Sequence, residues 1–211
     1  MKFDKGITPK YRQMIEDGFR TILEIGSEKH RRTANLILDS EMHIYVAPVS
    51  KVNASGISGV INPSETNDKI ASERLSLKDA LGEVFITIAE ETLGSMRGCI
   101  GTFVHENQHA LDFALVIESF SHADINPLSV YDPTLYEMEW AAHIAAGEFM
   151  VRINEDEYLE EGLGLMILGR AENEYFVDEN GIRRRLKDNY GLDLGGNPGA
   201  TASEMAGLIQ R

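Results

Sequence analysis

The sequence predicts an α+β fold on three observations: long runs with apolar residues at helical spacing, short β-branched runs punctuated by Gly and Pro, and one run alternating with a period of two. At 211 residues the chain can bury one good core and has no room for two full domains. Its apolar share of 43% and charged share of 26% are those of a globular protein, so most of it should fold unaided.

In order along the chain, PKYRQMIEDGFRTILEIG (9–26) places Tyr11, Ile15, Phe19 and Ile22 near helical spacing, and Gly26 ends that helix. A second short helix is expected over Glu28 to Leu38. HIYVAPVS (43–50) and ASGISGVIN (54–62) read as strands paired with one another. PSETND (63–68) reads as polar loop and SLKDALGE (76–83) as a brief helical turn. In EVFITIAEE (83–91), Val84, Ile86 and Ile88 alternate with Phe85, Thr87 and Ala89, which makes it the clearest strand.

Met96 to Phe120 carries a mostly helical apolar pattern with few breakers after Gly101, and is the expected central helix. SHADINPLSVYDPTL (121–135) contains two prolines, each pushing the preceding residue out of the helical region, and reads as loop. Helix resumes near Tyr136 in the Ala-rich YEMEWAAHIAAGEFMV. Short helical pieces are expected in 153–176 and in DENGIRRRLKDNYGL (178–192). GGNPGATASEMAGLIQR (195–211) reads as a flexible Gly-rich linker with a short closing helix.

A formal charge of −14 repels nucleic-acid phosphates and anionic lipid, which disfavours direct nucleic-acid binding. The single Cys99 cannot form an intrachain disulfide, and the opening MKFDKGITPK lacks a secretory apolar stretch, so a cytoplasmic protein is expected. No apolar run approaches the roughly 20 residues that cross a bilayer, so no membrane partner is expected. The local basic cluster of Arg183, Arg184, Arg185 and Lys187 reads as a solvated helix face more simply than as a nucleic-acid contact.

V-H-E-N-Q-H-A at 104–110 contains a complete H-E-x-x-H inside the expected central helix. Residues four apart on a helix differ by about 40° in direction and about 6 Å in height, so His105 and His109 project towards one ion. Glu106 points past that ion, where it can take a proton from water and pass it on. A catalytic zinc commonly has three protein ligands and an open position, so a third donor must come from elsewhere. Glu139 is the best candidate, because it starts the Ala-rich helix thirty residues after His109, beyond a loop that lets the chain turn back. Glu137 is its nearest rival, and His122, Asp124, Asp132 and His143 could also reach in. His143 lies at i+4 from Glu139, which makes it a candidate to support the ligands or face a substrate.

These elements resemble the ImmA/IrrE metallopeptidase family, a gluzincin-type group with H-E-x-x-H and a later helix of the form E-x-x-A-N-x-x-A-x-x-L-M. Here the second element reads E-W-A-A-H-I-A-A-G-E-F-M-V at 139–151. The correspondence puts Glu139 at the third-ligand position and Ala142 at a small residue that lets the helices approach. FMV at 149–151, Tyr158, AENEYFV and GIRRRLKDNYGL follow in the family's order, so the similarity runs from about His43 to Leu192. Two residues depart from the pattern: Gln108 stands where a Gly usually precedes the second histidine, and His143 replaces the Asn.

The resemblance implies a small antiparallel or mixed sheet packed on two metal-bearing helices, with further helices at both ends and an edge strand that docks a peptide, a role that EVFITIAEE suits. On this reading residues 1–194 form one metallopeptidase domain, with N-terminal helices in 1–40, the catalytic core in 41–151 and a helical region in 152–194, and 195–211 is the tail. The implied activity is zinc-dependent hydrolysis of a peptide bond in a DNA-binding transcriptional repressor, with one Zn2+ per chain and Glu106 as base. His122, Tyr131, Tyr136 and His143 are candidate oxyanion donors. A Ser nucleophile lacks its G-x-S-x-G, and Cys99 shows no sign of activation. The competing expectation is a metal-stabilised protein that sequesters a regulator without cutting it. Sequence sets no oligomeric state.

Overall fold

The computed structural model describes residues 1–93 and 96–210, with side chains of the central helix described from Ile100 onward; the expectation about Cys99 lies outside the described side chains. The elements in chain order are β1 (Lys2–Phe3), α1 (Pro9–Ile25), α2 (Glu28–Leu38), β2 (His43–Ala47), α3 (Val49–Val52), β3 (Gly56–Val60), α4 (Pro63–Ser72), α5 (Leu77–Leu81), β4 (Val84–Ala89) and α6 (Glu90–Leu93). After them come α7 (Met96–Ser121), α8 (Leu135–Ile153), α9 (Asp156–Gly164), β5 (Leu168–Ala171), β6 (Glu174–Val177), α10 (Glu179–Tyr190) and α11 (Ala202–Ala206). The fold is α+β, as the sequence predicts.

The first four strands form one mixed sheet in the order β1-β2-β4-β3. β1, β2 and β4 run parallel and β3 is antiparallel to β4. Two expectations are corrected. The runs 43–50 and 54–62 do not pair with each other, because β4 lies between them. β4 is therefore an interior strand, and the edge next to the central helix is β3. β4 is hydrogen-bonded along both edges, with Val84, Ile86 and Ile88 fully buried on one face and Phe85 and Thr87 half-buried on the other.

The run 63–68 is helix, not loop. Asn62 accepts from the Glu65 N–H (3.4 Å), and Pro63 sits at the first helical position where its missing N–H costs nothing. The stretch 168–177, expected to be helical, is the β5–β6 hairpin, with Glu172 in the left-handed region at its turn (φ 54°).

α7 is the axis of the molecule. It is enclosed by other elements: Phe103, Ala110, Ala114, Val116 and Ile117 are buried, and so are the polar Glu106, Asn107, Gln108, His109 and Asp112. The sheet covers it through β3 and β4. α1 covers another side, where Phe19 packs on Phe103 with ring centroids 5.6 Å apart. α8 lies against a third side, antiparallel to α7: Glu139 near its start meets His105 and His109, and Met150 near its end reaches Gly101.

α8 is held at its start and in the middle. Thr134 and Glu137 form a capping box at its start. Two further N–H groups of its first turn are satisfied by the tail, Leu135 donating to the Ala200 carbonyl (2.8 Å) and Tyr136 to that of Pro198 (2.9 Å). Asp132 accepts from the backbone and hydroxyl of Ser203 (2.9 and 2.8 Å). The Gly-rich stretch expected to be a flexible linker is thus tied to the helix that carries Glu139. Mid-helix, His30 of α2 donates from Nε2 to the Ala145 carbonyl (3.0 Å) while its Nδ1 accepts from the Ser27 N–H. Among the described residues no helix is long and apolar enough to cross a membrane.

Candidate metal centre

His105 and His109, one turn apart on α7, and Glu139, on the second turn of α8, bring one ligand atom each to within 4.8 Å of one another. The His105 and His109 Nε2 atoms are 3.0 Å apart, and each lies 3.5 Å from a Glu139 carboxylate oxygen. Ligand atoms bound tetrahedrally to one ion at 2.0–2.1 Å stand about 3.3 Å apart, close to these separations. The three side chains could hold a metal ion. Two buried atoms at the same point, Glu139 Oε2 and His143 Nε2, lack a hydrogen-bond partner, as expected of donors left facing a cation position.

The environment suits this chemistry. Burial holds the His105 pKa well below its ordinary value, helped by its neighbours His109 and His143, so its lone pair is free. For His109, burial acts in the same direction, but Glu139, Glu106 and Asp112 together outweigh it and raise the pKa. Glu139 shows the converse: burial opposes its charge, yet His109, His143 and Arg185 keep its pKa below the ordinary carboxylate value.

Glu106 stands beside this cluster without joining it. Burial raises its pKa, and the Ser58 hydroxyl, donating to Oε2 at 2.7 Å, works against that rise. Ser58 belongs to β3, which crosses α7 so closely that a Cβ at Gly56 would sit 2.8 Å from Glu106 Cγ and 3.0 Å from Thr102 Cγ2. Only glycine fits there.

β3 presents a free edge to the cluster. Ala89 donates to the Ser55 carbonyl and Ile61 to that of Glu83, so odd-numbered residues exchange hydrogen bonds with β4. In an antiparallel ladder the intervening residues point their N–H and C=O the other way, and here these are Gly56, Ser58 and Val60. They open on a cleft of about 770 Å³ whose floor is α7 and α8. Its lining follows α7 from Gly101 to Phe113, a span of about 18 Å with the cluster in the middle.

A comparison with protein-family models, curated proteins and solved structures yields no match.

The structure separates the rivals by what each already bonds. Glu137 Oε2 accepts from the backbone and hydroxyl of Thr134, both at 2.8 Å, so it caps α8 and faces no metal. Asp124 pairs with Arg74 (2.6 Å), and Asp132 holds Ser203. His122, just past the end of α7, donates from Nδ1 to the Glu118 carbonyl (2.9 Å) and lies outside the cleft lining. Tyr136 stacks on Trp140 (6.1 Å) outside the cleft lining, and Tyr131 donates to Asp112 Oδ1 (2.9 Å). None of these six joins the site.

His143 does join it. Its ring lies 4.8 Å from that of His105 and its Nε2 is 3.7 Å from Glu139 Oε2; burial lowers its pKa to about 4. Gln108, which replaces the usual glycine, turns aside and donates to Asp112 (3.0 Å).

Sequence reasoning missed Arg185 and Tyr190 of α10, which form the cleft wall on the α8 side. The triple-arginine run concealed them: Arg183 lies over Trp140 and Arg184 pairs with Asp178, so only Arg185 turns inward. Helical periodicity held the signal, since Arg185 is one turn from the buried Ile182 and next to Leu186.

Proposed function

We propose that this protein is a zinc-dependent endopeptidase of ImmA/IrrE type that cuts a protein substrate, a DNA-binding transcriptional repressor by the resemblance of its two metal-bearing helices. The observation that carries the reading is Glu106, a buried carboxylate held by Ser58 beside three convergent ligands without joining them. A structural metal site has no use for such a group. Zinc, when held by His105, His109 and Glu139, supplies a Lewis acid that polarises a carbonyl and acidifies water.

Hydrolysis joins a water oxygen to the carbonyl carbon, breaks the C–N bond and delivers a proton to the departing nitrogen. Glu106 takes the proton from water and hands it to that nitrogen, a double role favoured by a pKa that burial has raised. The edge of β3 binds the substrate backbone through Gly56, Ser58 and Val60, which positions a peptide bond over the cluster without demanding particular side chains. The cleft extends past the cluster in both directions, so a chain can pass through it, which favours internal cleavage over trimming from an end. A net charge of −14 suits a basic partner.

The test is elemental analysis together with hydrolysis of a quenched peptide library by wild type, His109→Ala, Glu139→Ala and Glu106→Gln. About one zinc per wild-type chain, lost in the first two variants and kept in the third, with turnover only in wild type, is the expected result. Zinc without turnover in any protein would leave a binding protein and end the peptidase reading.

A further inference from the structure

Hydrolysis of an amide gathers negative charge on the carbonyl oxygen, and the proposed reaction needs a donor for it in the cleft. The four tyrosine and histidine candidates outlined from sequence reduce to one in the cleft, His143, whose free Nε2 faces Glu139. α10 brings two more groups. Tyr190 is its last residue, fixed by the turn in which Gly191 adopts the left-handed conformation (φ 68°) and Leu192 donates back to Leu186. The Tyr190 ring meets that of His143 edge-on at 6.1 Å, and His143 in turn packs on the ligand His105 at 4.8 Å.

The Arg185 guanidinium lies beside the Tyr190 ring, with Cζ 5.9 Å from the ring centroid. A guanidinium can only donate, so a hydrogen bond between the two would have the phenol oxygen as acceptor and leave the phenol hydrogen to point elsewhere. The Arg185 Nε is buried and has no hydrogen-bond partner. These two side chains line the same cleft as Gly56, Ser58 and Val60 of the β3 edge.

We propose that the Tyr190 hydroxyl is the hydrogen-bond donor to the scissile carbonyl oxygen, and that Arg185 is the residue that positions it. This rests on the peptidase reading above. No proton changes owner in this step: the phenol O–H shares its hydrogen with the oxygen as charge develops, while Glu106 carries out the transfer.

The experiment uses the full zinc-loaded chain and two ligands that differ at one position, a phosphoramidate of leucinamide and mercaptoacetyl-leucinamide, with binding measured by calorimetry. The phosphoryl group presents an oxygen where the carbonyl oxygen would be; the thiol presents none. In Tyr190→Phe the phosphoramidate should bind about 10²-fold more weakly and the thiol equally well, with kcat for peptides down by about 10²-fold, KM within threefold and zinc content unchanged. Arg185→Met should lower kcat by about tenfold, and Tyr190→Phe/Arg185→Met should be no worse than Tyr190→Phe alone, a non-additivity that a scaffolding role would not give.

Equal loss of both ligands, or of neither, in Tyr190→Phe overturns the assignment while the peptidase reading stands. If wild type binds neither ligand and hydrolyses no peptide, the peptidase reading fails and the assignment falls with it.

Discussion

Two buried polar clusters lie side by side on α7 and use their atoms in opposite ways. In the first, His105, His109 and Glu139 converge on a point, with Glu139 Oε2 and His143 Nε2 left unbonded. In the second, Gln108 and Tyr131 both donate to Asp112 Oδ1, at 3.0 and 2.9 Å, and the group closes largely on itself. An unsatisfied buried polar atom costs about 1–3 kcal/mol, so convergence without mutual bonding is tolerated where a ligand will repay it. Closure of the second kind marks a group that holds the fold. The clusters touch at His109, where Nδ1 and the Asp112 Oδ2 are both buried and unbonded.

Breaking the first cluster should have the largest effect. Adding zinc to metal-free wild type should raise its unfolding midpoint, by an amount equivalent to about 2.7 kcal/mol at a hundred times Kd, and should leave His109→Ala unmoved in differential scanning calorimetry. In the same cluster Glu106→Gln should keep that response while peptide turnover falls by about 10²–10⁴-fold in the library assay. A Glu106→Gln protein with wild-type turnover would detach the chemistry from this side of α7.

The second cluster answers to pH. Burial raises the Asp112 pKa from 3.8 to about 6, against the weaker opposing pull of His109, Tyr131 and Gln108. A carboxyl whose pKa is higher folded than unfolded binds its proton more tightly in the native state. The native state therefore loses stability as pH rises through the window from about 4 to about 6, by up to ~3 kcal/mol for two units. Asp112→Asn removes that dependence, so the stability of the metal-free variant relative to wild type should improve between pH 4 and pH 7 in urea titrations. No change in the difference would mean that Asp112 is ionised at low pH.

Steric attack on the first cluster is next in size. Gly56→Ala puts a methyl 2.8 Å from Glu106 Cγ, and overpacking of this kind costs about 1–3 kcal/mol in thermal unfolding. Turnover should fall with it, while zinc content should not. Smallest is Glu137→Ala, which removes the α8 capping box at a cost of about 1 kcal/mol and leaves zinc affinity intact, although Glu139 stands only two residues away.

The contrast between Glu137 and Glu139 also shows what the sequence held. The histidine pair was legible because helical geometry alone fixes the relation of residues four apart. Glu139 was preferred to Glu137 on its place in the Ala-rich helix and on resemblance together, although T-x-x-E at 134–137 is a capping-box signature that assigns Glu137 locally. Asn62, Pro63 and Glu65 likewise carried the start of α4 in plain view. Other features depend on contacts distant in sequence. Whether β3 or β4 forms the edge is settled by which strand comes between, and the inward turn of Arg185 by how α10 docks on α8. The β5–β6 hairpin lacked a local cue, because its turn uses Glu172 and Asn173 in place of a glycine.

The exposed edge of β3 has a consequence for what can reach it. A bare strand edge normally invites the sheet of another molecule, a route to aggregation. Here five residues, about 17 Å of edge, lie in a recess walled by α8, α10 and α11, with Met205 and Ala206 of α11 in the lining. On the proposed function, the recess would take a lone extended segment more readily than a neighbour already folded into a sheet. A folded chain docking there would first have to lose its own local structure, so its rate of capture would be set by how often that segment opens, a property of the visitor and not of this protein.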